Sequence, residues 1–260
     1  RMSSILRTME LDIVGLLETD LHRPAFGNRD LTQWLAQDLH MYADLGPSPK
    51  KHTWGAVLLS KFPIINSTHH LLPSPHGELA PAIHAVLDIW GVPTHVVVSH
   101  NGQFEDKLDR ELQTKAIARI LSDAYPHPAI FLGYVVTKPH APRPEPYDIL
   151  FSDGLIFDVD PDDKDRWCQY LGFRGLERVG YARVSRYTVT DTELQTFKLA
   201  VPDRLEPNRD VRPFRVSGRH FKPAAWTYPL SLVRPGVRMN ETHKYSPYIY
   251  PQYFEFEARH

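Results

Sequence analysis

The stretch His95-Val-Val-Val-Ser-His100, followed by Asn101-Gly102, is a compact apolar run that ends abruptly in polar residues. A short run of β-branched residues closed by a turn signal reads as a strand buried on both faces. Its last residue, His100, then stands at a strand end, where α/β folds collect their reactive groups. A lone histidine there also serves simply as a hydrogen-bonded neighbour of the sheet, so its role depends on what the rest of the chain brings to it.

Upstream, Gly55-Ala-Val-Leu-Leu59, Ile64-Ile65 and residues 82–89 are further strand runs, the last joined to His100's strand by a Gly91-Val-Pro93 turn. Downstream, Leu108, Leu112, Ala116, Ile120 and Leu121 recur at helical spacing over residues 105–124, and Ala129-Ile-Phe-Leu132 is the next strand. Toward the amino terminus, residues 3–11 read as a short helix, and Asp12-Ile-Val-Gly-Leu-Leu17 as a buried strand ending at Glu18. Residues 30–39 place Leu31, Trp34, Leu35 and Leu39 on one side of a helix, a stripe suited to covering a sheet. The segment 138–146 holds four prolines and reads as a surface loop. Residues 164–173 form helix or strand, and residues 194–201 form a strand. From about residue 202 the chain is an irregular, aromatic tail packed on the body. This order predicts an α/β (α+β) sandwich rather than a doubly wound sheet. Neither GxGxxG nor GxxxxGK[ST] occurs, which removes nucleotide cradling of those kinds.

With 260 residues and 42% hydrophobic composition, the chain is expected to fold as one domain over 1–260. Its 30 Lys and Arg against 31 Asp and Glu create no net field for a polyanion, which disfavours nucleic acid. Cys168 has no second cysteine to pair with, and no thiolate-rich zinc spacing exists. The sequons Asn66-Ser67-Thr68 and Asn240-Glu241-Thr242 suit a lumenal setting. No apolar run reaches the ~20 residues needed to cross a bilayer. The opening Arg1-Met2-Ser3-Ser4 leads straight into a helix-like segment, so the chain is expected to be a piece of a longer protein.

Three segments in order, Gly15-Leu-Leu-Glu18-Thr-Asp20, Trp54-Gly-Ala-Val-Leu-Leu-Ser-Lys-Phe-Pro-Ile64 and Val97-Val-Ser-His100-Asn-Gly102, resemble the endonuclease/exonuclease/phosphatase superfamily. The resemblance implies a four-layer α-β-β-α sandwich, a strand-end glutamate on a divalent metal and a strand-end histidine serving phosphodiester cleavage. A closer likeness covers nearly the whole chain. Leu17-Glu-Thr-Asp20, Gly27-Asn28 with Asp30-Leu31, His52-Thr-Trp-Gly55, His70-Leu-Leu-Pro-Ser-Pro75, Glu105-Asp106 with Asp109-Arg110, Phe131-Leu-Gly-Tyr134, Asp165-Arg-Trp-Cys168 and Gly180-Tyr-Ala-Arg183 followed by Asp191-Thr-Glu193 look like the carboxy-terminal domain of the calcofluor white hypersensitive family. That likeness implies remodelling of the lipid of glycosylphosphatidylinositol (GPI) anchors toward ceramide. It also implies a parent with several membrane spans in the endoplasmic reticulum, this domain being lumenal.

Departures from the superfamily pattern are concentrated at its reactive positions. Its Gly-Asp-x-Asn turn is replaced by Gly133-Tyr-Val-Val136, a later acid by Gln169, and the terminal Ser-Asp-His by Thr190-Asp-Thr192. The resemblance also implies a first strand bearing an Asn near the metal, which is expected to fall before Arg1.

On the resemblance, Glu18 and Asp191 hold a hard cation, Mg²⁺ or else Mn²⁺ or Ca²⁺, and His100 protonates the leaving oxygen. Asp20 either contacts substrate or caps the following turn. Asp106 and Arg110 either pair along the helix or divide the work, Asp106 orienting His100 and Arg110 meeting phosphate together with Asn101. Arg166 and Arg183 are the further phosphate candidates, because a guanidinium fork matches phosphate oxygens, against a role in ordinary salt bridges. His52, His69 and His70 lack metal-ligand spacing, and Trp54, Trp167 and Tyr181 read as core aromatics. The expected partner is a GPI-type phosphoinositol lipid, and the expected activity a phospholipase-C-like phosphodiesterase or lipid-remodelling transferase. The alternative is a non-catalytic headgroup-binding module beside a membrane-embedded remodelling part. An attack by a neighbouring inositol hydroxyl asks least of water activation.

Overall fold

A computed structural model describes residues 2–19, 31–47, 55–76, 80–139, 141, 145–184 and 192–202. In chain order these form α1 (Met2–Thr8), β1 (Ile13–Leu17), α2 (Leu31–Leu39), β2 (Tyr42–Asp44), β3 (Ala56–Ser60), β4 (Ile64–Leu72), β5 (Ala80–Ile89), β6 (Val92–His100), α3 (Lys107–Asp123) and β7 (Ala129–Tyr134). Then follow α4 (Pro146–Asp148), which widens into a π-helical turn over Ile149–Asp153, β8 (Phe157–Asp158), β9 (Gln169–Arg174), β10 (Glu177–Val184) and β11 (Leu194–Ala200).

One sheet has the order β1-β3-β2, a second β4-β5-β6-β7-β9-β8, and β10 pairs with β11 as a two-stranded ribbon. Strands β6 and β7 are parallel, and α3 is the helical crossover that parallel neighbours require. Side chains alternate between faces along each strand, and here both faces are covered. Ala56 and Leu58 of β3 meet Ile83, Ala85, Val96, Val98, Ile130 and Leu132 between the sheets. The intervening Val57 and Leu59 pack with Leu6, Leu35 and Ala36 of the first helices. On the far side, Val97 and Phe131 lie under Ile117 and Leu121 of α3. Three apolar interfaces therefore separate four layers, the α-β-β-α sandwich of the endonuclease/exonuclease/phosphatase type. Continuous apolar runs in β3 and β6 are the consequence of this double burial.

Several elements differ from the pattern read in the sequence. Helix α2 buries Thr32, Leu35 and Ala36, leaving Leu31 and Trp34 about 40% exposed, because the small residues let the helix approach the sheet. Helix α3 buries Asp109, Arg110, Gln113 and Thr114 in its first half and Ile117, Ala118 and Leu121 in its second, while Leu108 is exposed. The polar half covers chain that has left the sheet, whose backbone groups need partners. Gln113 accepts from Gly102 N at 2.7 Å, and Asp109 from His76 N at 3.2 Å. Strand β10, over Glu177–Val184, is added to the runs read from the sequence. Trp167 is exposed rather than in the core, whereas Tyr181 packs against the intersheet cluster. His69 is held by the buried Asp44 at 2.6 Å.

Trp54, His52 and the carboxy-terminal tail lie outside the described residues, as does the sequon at Asn240. Asn66 of the first sequon is exposed on the edge strand β4. Among the described residues no helix is long and apolar enough to cross a membrane.

Candidate active site

Three strand ends of the six-stranded sheet lie side by side. His100 closing β6 is in register with Tyr134 closing β7, and Tyr134 with Gln169 opening β9. By the two-residue alternation, His100 shares the intersheet face with Val96 and Val98, and Tyr134 with Ile130 and Leu132. The opposing sheet supplies Glu18, one residue beyond β1.

Close approach of the sheets brings Glu18 to this row. A Cβ on Gly15 would come within 3.1 Å of Leu132 Cβ and 3.3 Å of Val98 Cγ1, so glycine lets β1 lie tightly over β6 and β7. Glu18 itself adopts a left-handed backbone conformation, φ 56°, which costs a non-glycine residue about 1 kcal/mol. It turns the chain away from β3 at the point where the carboxylate is delivered. Thr19 N still bonds to Gly55 O, at 3.4 Å.

The carboxylate reaches His100, with Oε1 2.7 Å from Nε2. On the other side of the ring, Nδ1 lies 2.6 Å from the Asn101 carbonyl, which can only accept, so Nδ1 carries a hydrogen. With acceptors at both nitrogens, the geometry is satisfied by a doubly protonated ring facing an ionised Glu18. The His100 hydrogen bond holds the Glu18 carboxyl below its ordinary value; partial burial opposes this, and the charge of His100 adds to it. Both side chains remain accessible, 17% for His100 and 35% for Glu18.

Tyr134 completes the row. Its ring lies 5.1 Å from that of His100, and its hydroxyl is 2.8 Å from Thr192 Oγ1. Gln169 Nε2 donates to Glu193 O at 3.0 Å, tying the segment before β11 to the same sheet end. The positions read as replacements for an acid, a further acid and a histidine thus converge in one place. Gly133 is retained for packing: a Cβ there would fall 2.6 Å from the Phe131 ring and from Ser99 O. Tyr134 and Thr192 were visible in the sequence as departures from a pattern, with nothing to show that they meet.

The other candidates fare differently. Asn101 is fully buried, its amide donating to Thr114 Oγ1 at 2.8 Å and Val135 O at 3.4 Å, so it braces the sheet end instead of facing a ligand. Arg110 is 1% exposed; its Nη1 donates to Val136 O at 2.7 Å and approaches Glu145 at 3.5 Å. That replaces both the phosphate contact and the intrahelical pair with Asp106, for the chain after β7 has carbonyls that no strand satisfies. Asp106 precedes α3 and accepts from Arg110 N through its backbone, while His100 Nδ1 is oriented by the Asn101 carbonyl. Arg166, 2% exposed, grips Asp158 with two bonds of 2.8 and 2.7 Å. It is a buried structural ion pair and not a phosphate contact. Arg183 pairs with Asp163 and Glu193, both at 3.3 Å, and stays partly accessible. Asp20 and Asp191 lie outside the described residues.

Among the described residues, the donor set does not match a hard divalent cation. The described strand ends offer Glu18, already engaged by His100, and Glu193, engaged by Arg183, together with the neutral Tyr134, Gln169 and Thr192. Among the described residues no group of three His, Cys, Asp or Glu is arranged to hold a metal ion.

Comparison with solved structures places the fold. A mannosyl-6-phosphatase of Bacteroides thetaiotaomicron superposes with a TM-score of 0.58 at 15% identity, covering 76% of this chain and 89% of that one. The catalytic domain of human Nocturnin gives 0.59 at 17% identity over 76% and 85%. An endonuclease/exonuclease/phosphatase family protein of Leptotrichia buccalis gives 0.59 at 12% identity over 76% and 90%. At these identities the likeness shows the fold alone. In sequence, the chain is 56% identical over 237 residues to Protein cwh43 of Schizosaccharomyces pombe (strain 972 / ATCC 24843), a match covering 91% of this chain and 23% of that protein. The chain therefore spans about 23% of the length of that relative. With residues 1–221 also matching the family described as PGAP2IP, C-terminal nuclease-like domain, the chain belongs to that family.

Proposed function

We propose that this domain takes part in remodelling the lipid of GPI anchors and acts at the phosphoinositol phosphodiester through Glu18 and His100. The observation that carries the reading is the 2.7 Å contact between Glu18 Oε1 and His100 Nε2 at an accessible sheet end. Cleaving a phosphodiester requires one proton to be taken from the attacking hydroxyl and one given to the departing oxygen. The pair holds one acceptor, the Glu18 carboxylate, and one donor, the His100 ring. A neighbouring inositol hydroxyl is the nucleophile: its oxygen bonds to phosphorus, the bond to the lipid oxygen breaks, and that oxygen leaves as an alcohol. No step is assigned to Mg²⁺ or another cation. In this reading the domain works on the lumenal side of the endoplasmic reticulum membrane, as part of a larger membrane-held protein.

A second reading, a headgroup-binding module without turnover, is favoured by the absence of Asp and Asn from the Gly133–Val136 turn. One experiment separates them. The full chain is incubated with phosphatidylinositol in phosphatidylcholine vesicles and the products are followed by ³¹P NMR. A cyclic inositol phosphate, absent with His100→Ala, supports the first reading. Open inositol phosphate alone overturns the intramolecular attack, and headgroup binding without release establishes the second. Cleavage of DNA in place of lipid would overturn both.

A further inference from the structure

We propose that the hydroxyls of Tyr134 and Thr192 form a phosphate-oxygen subsite, through which this site holds its phosphodiester without a divalent cation between protein and phosphate. The inference rests on the phosphodiester reading above and goes beyond it by assigning how the phosphate is held.

The argument begins with charge. A carboxylate at the end of β7 repels a phosphate oxygen and can approach it only across a cation. A tyrosine hydroxyl at the same place carries no charge and donates a hydrogen bond directly. Tyr134 holds that place, in register with His100 across β6 and β7. Thr192, a second neutral hydroxyl, lies 2.8 Å from the first, and either oxygen can be the donor. Hydroxyl rotors both donate and accept, so an arriving phosphate oxygen can take a hydrogen from either member while the contact between them readjusts. Gln169, adjacent in register to Tyr134, is likewise neutral.

The His100 ring lies beside this pair, 5.1 Å from the Tyr134 ring. Glu18 and His100 face each other at 2.7 Å and offset one another's charge, and Glu193, beside Thr192, is paired with Arg183 at 3.3 Å. Among the described residues, the groups beside the two hydroxyls are therefore neutral or paired, which suits a monoanionic phosphodiester held by hydrogen bonds. Packing fixes the tyrosine's position, because Gly133 brings β7 so close to β6 that a Cβ would strike Ser99 O at 2.6 Å. The hydroxyl is thereby delivered from a rigid strand end instead of a loop, which favours defined hydrogen-bond geometry.

The test measures binding and turnover separately, with chelator present throughout. The full chain is titrated calorimetrically with inositol 1-phosphate in EDTA and assayed on phosphatidylinositol/phosphatidylcholine vesicles in the same buffer. Wild type should bind, and its affinity should be the same after Mg²⁺ is added in excess of EDTA. Tyr134→Phe, which keeps the ring against His100, should weaken binding by about 10- to 100-fold, as loss of a hydrogen bond to a charged group does. Thr192→Val should weaken it in the same direction. Tyr134→Asp should abolish binding in EDTA. Unchanged affinity in Tyr134→Phe, or wild-type binding that vanishes in EDTA, would overturn the subsite. Binding of wild type without turnover leaves the subsite standing and removes the catalytic reading. Turnover that is the same in Tyr134→Phe does the reverse.

Discussion

Glu18 Oε1 and His100 Nε2 meet at 2.7 Å across 82 residues of chain and across the two sheets. Because the His100 hydrogen bond holds the Glu18 carboxyl below 4.5, the folded state binds the proton less readily than the unfolded chain. The stabilisation is fully present above about pH 4.5 and is lost as pH falls through the lower folded value. Glu18→Gln should remove that acid-side dependence. With a side chain 35% exposed, the pair contributes only about 0.5 kcal/mol at neutral pH, in the range of exposed ion pairs. Turnover should fall far more, by about 10²- to 10⁴-fold. Urea unfolding and vesicle assays on the same variant check both; a fall in stability without a fall in turnover would make the contact structural.

The Asp158–Arg166 pair gives the opposite expectation. Both side chains are buried, 4% and 0% exposed, and Tyr147 also donates to Asp158 at 2.7 Å. Removing the acid would strand a guanidinium away from water, which costs about 3–5 kcal/mol. Asp158→Ala should therefore lower the urea midpoint sharply. Inositol phosphate affinity, measured where the variant is still folded, should stay close to wild type. A selective loss of affinity with unchanged stability would return Arg166 to the phosphate site.

The sequence showed the two ends of this site and hid its middle. Glu18 and His100 were legible because apolar runs buried on both faces stop at them, and a polar residue at such a boundary stands out. Tyr134 was legible only as a missing acid. Its contact with Thr192 depends on β11 returning to the same sheet end, 58 residues later, which no local spacing encodes. Arg110 and Asn101 were misread for a related reason. Polar residues next to a candidate site suggest ligand contact, yet here they satisfy the carbonyls of Val135 and Val136, where the chain leaves β7. The polar underside of α3 follows from that same demand, and an apolar-periodicity rule has no place for it.

Val136 and Val135 are neighbours with 8% and 1% exposure, but only Val136 has a left-handed backbone, φ 54°. A β-branched residue there is strained by about 1–2 kcal/mol. Glycine at either position loses a buried side chain, and at 136 it also relieves that strain. Val136→Gly should then be about 1–2 kcal/mol less destabilising than Val135→Gly in urea unfolding. Equal losses would mean that the Arg110–Val136 contact does not hold this conformation at an energetic cost.

At the far part of the six-stranded sheet, His84 Nε2 lies 2.8 Å from His95 Nδ1, and the His95 ring stacks on His127 at 5.6 Å. Burial first, then the charges of His95 and His70, push His84 down to about 4. His95 is lowered by burial, His127 and Arg174, and His70 by burial and His69. Folded values below the unfolded 6.5 mean that above about pH 6.5 the rings are neutral in both states and cost nothing. As pH falls toward 4, the unfolded chain takes up protons that the folded sheet resists, and stability is lost. From His84 alone the loss near pH 5 is about 1–2 kcal/mol. The urea midpoint should therefore drop between about pH 7.5 and about pH 5. His84→Leu should narrow that drop, since it removes the ring that resists protonation most, and an undiminished drop in the variant would place the acid sensitivity elsewhere in the fold.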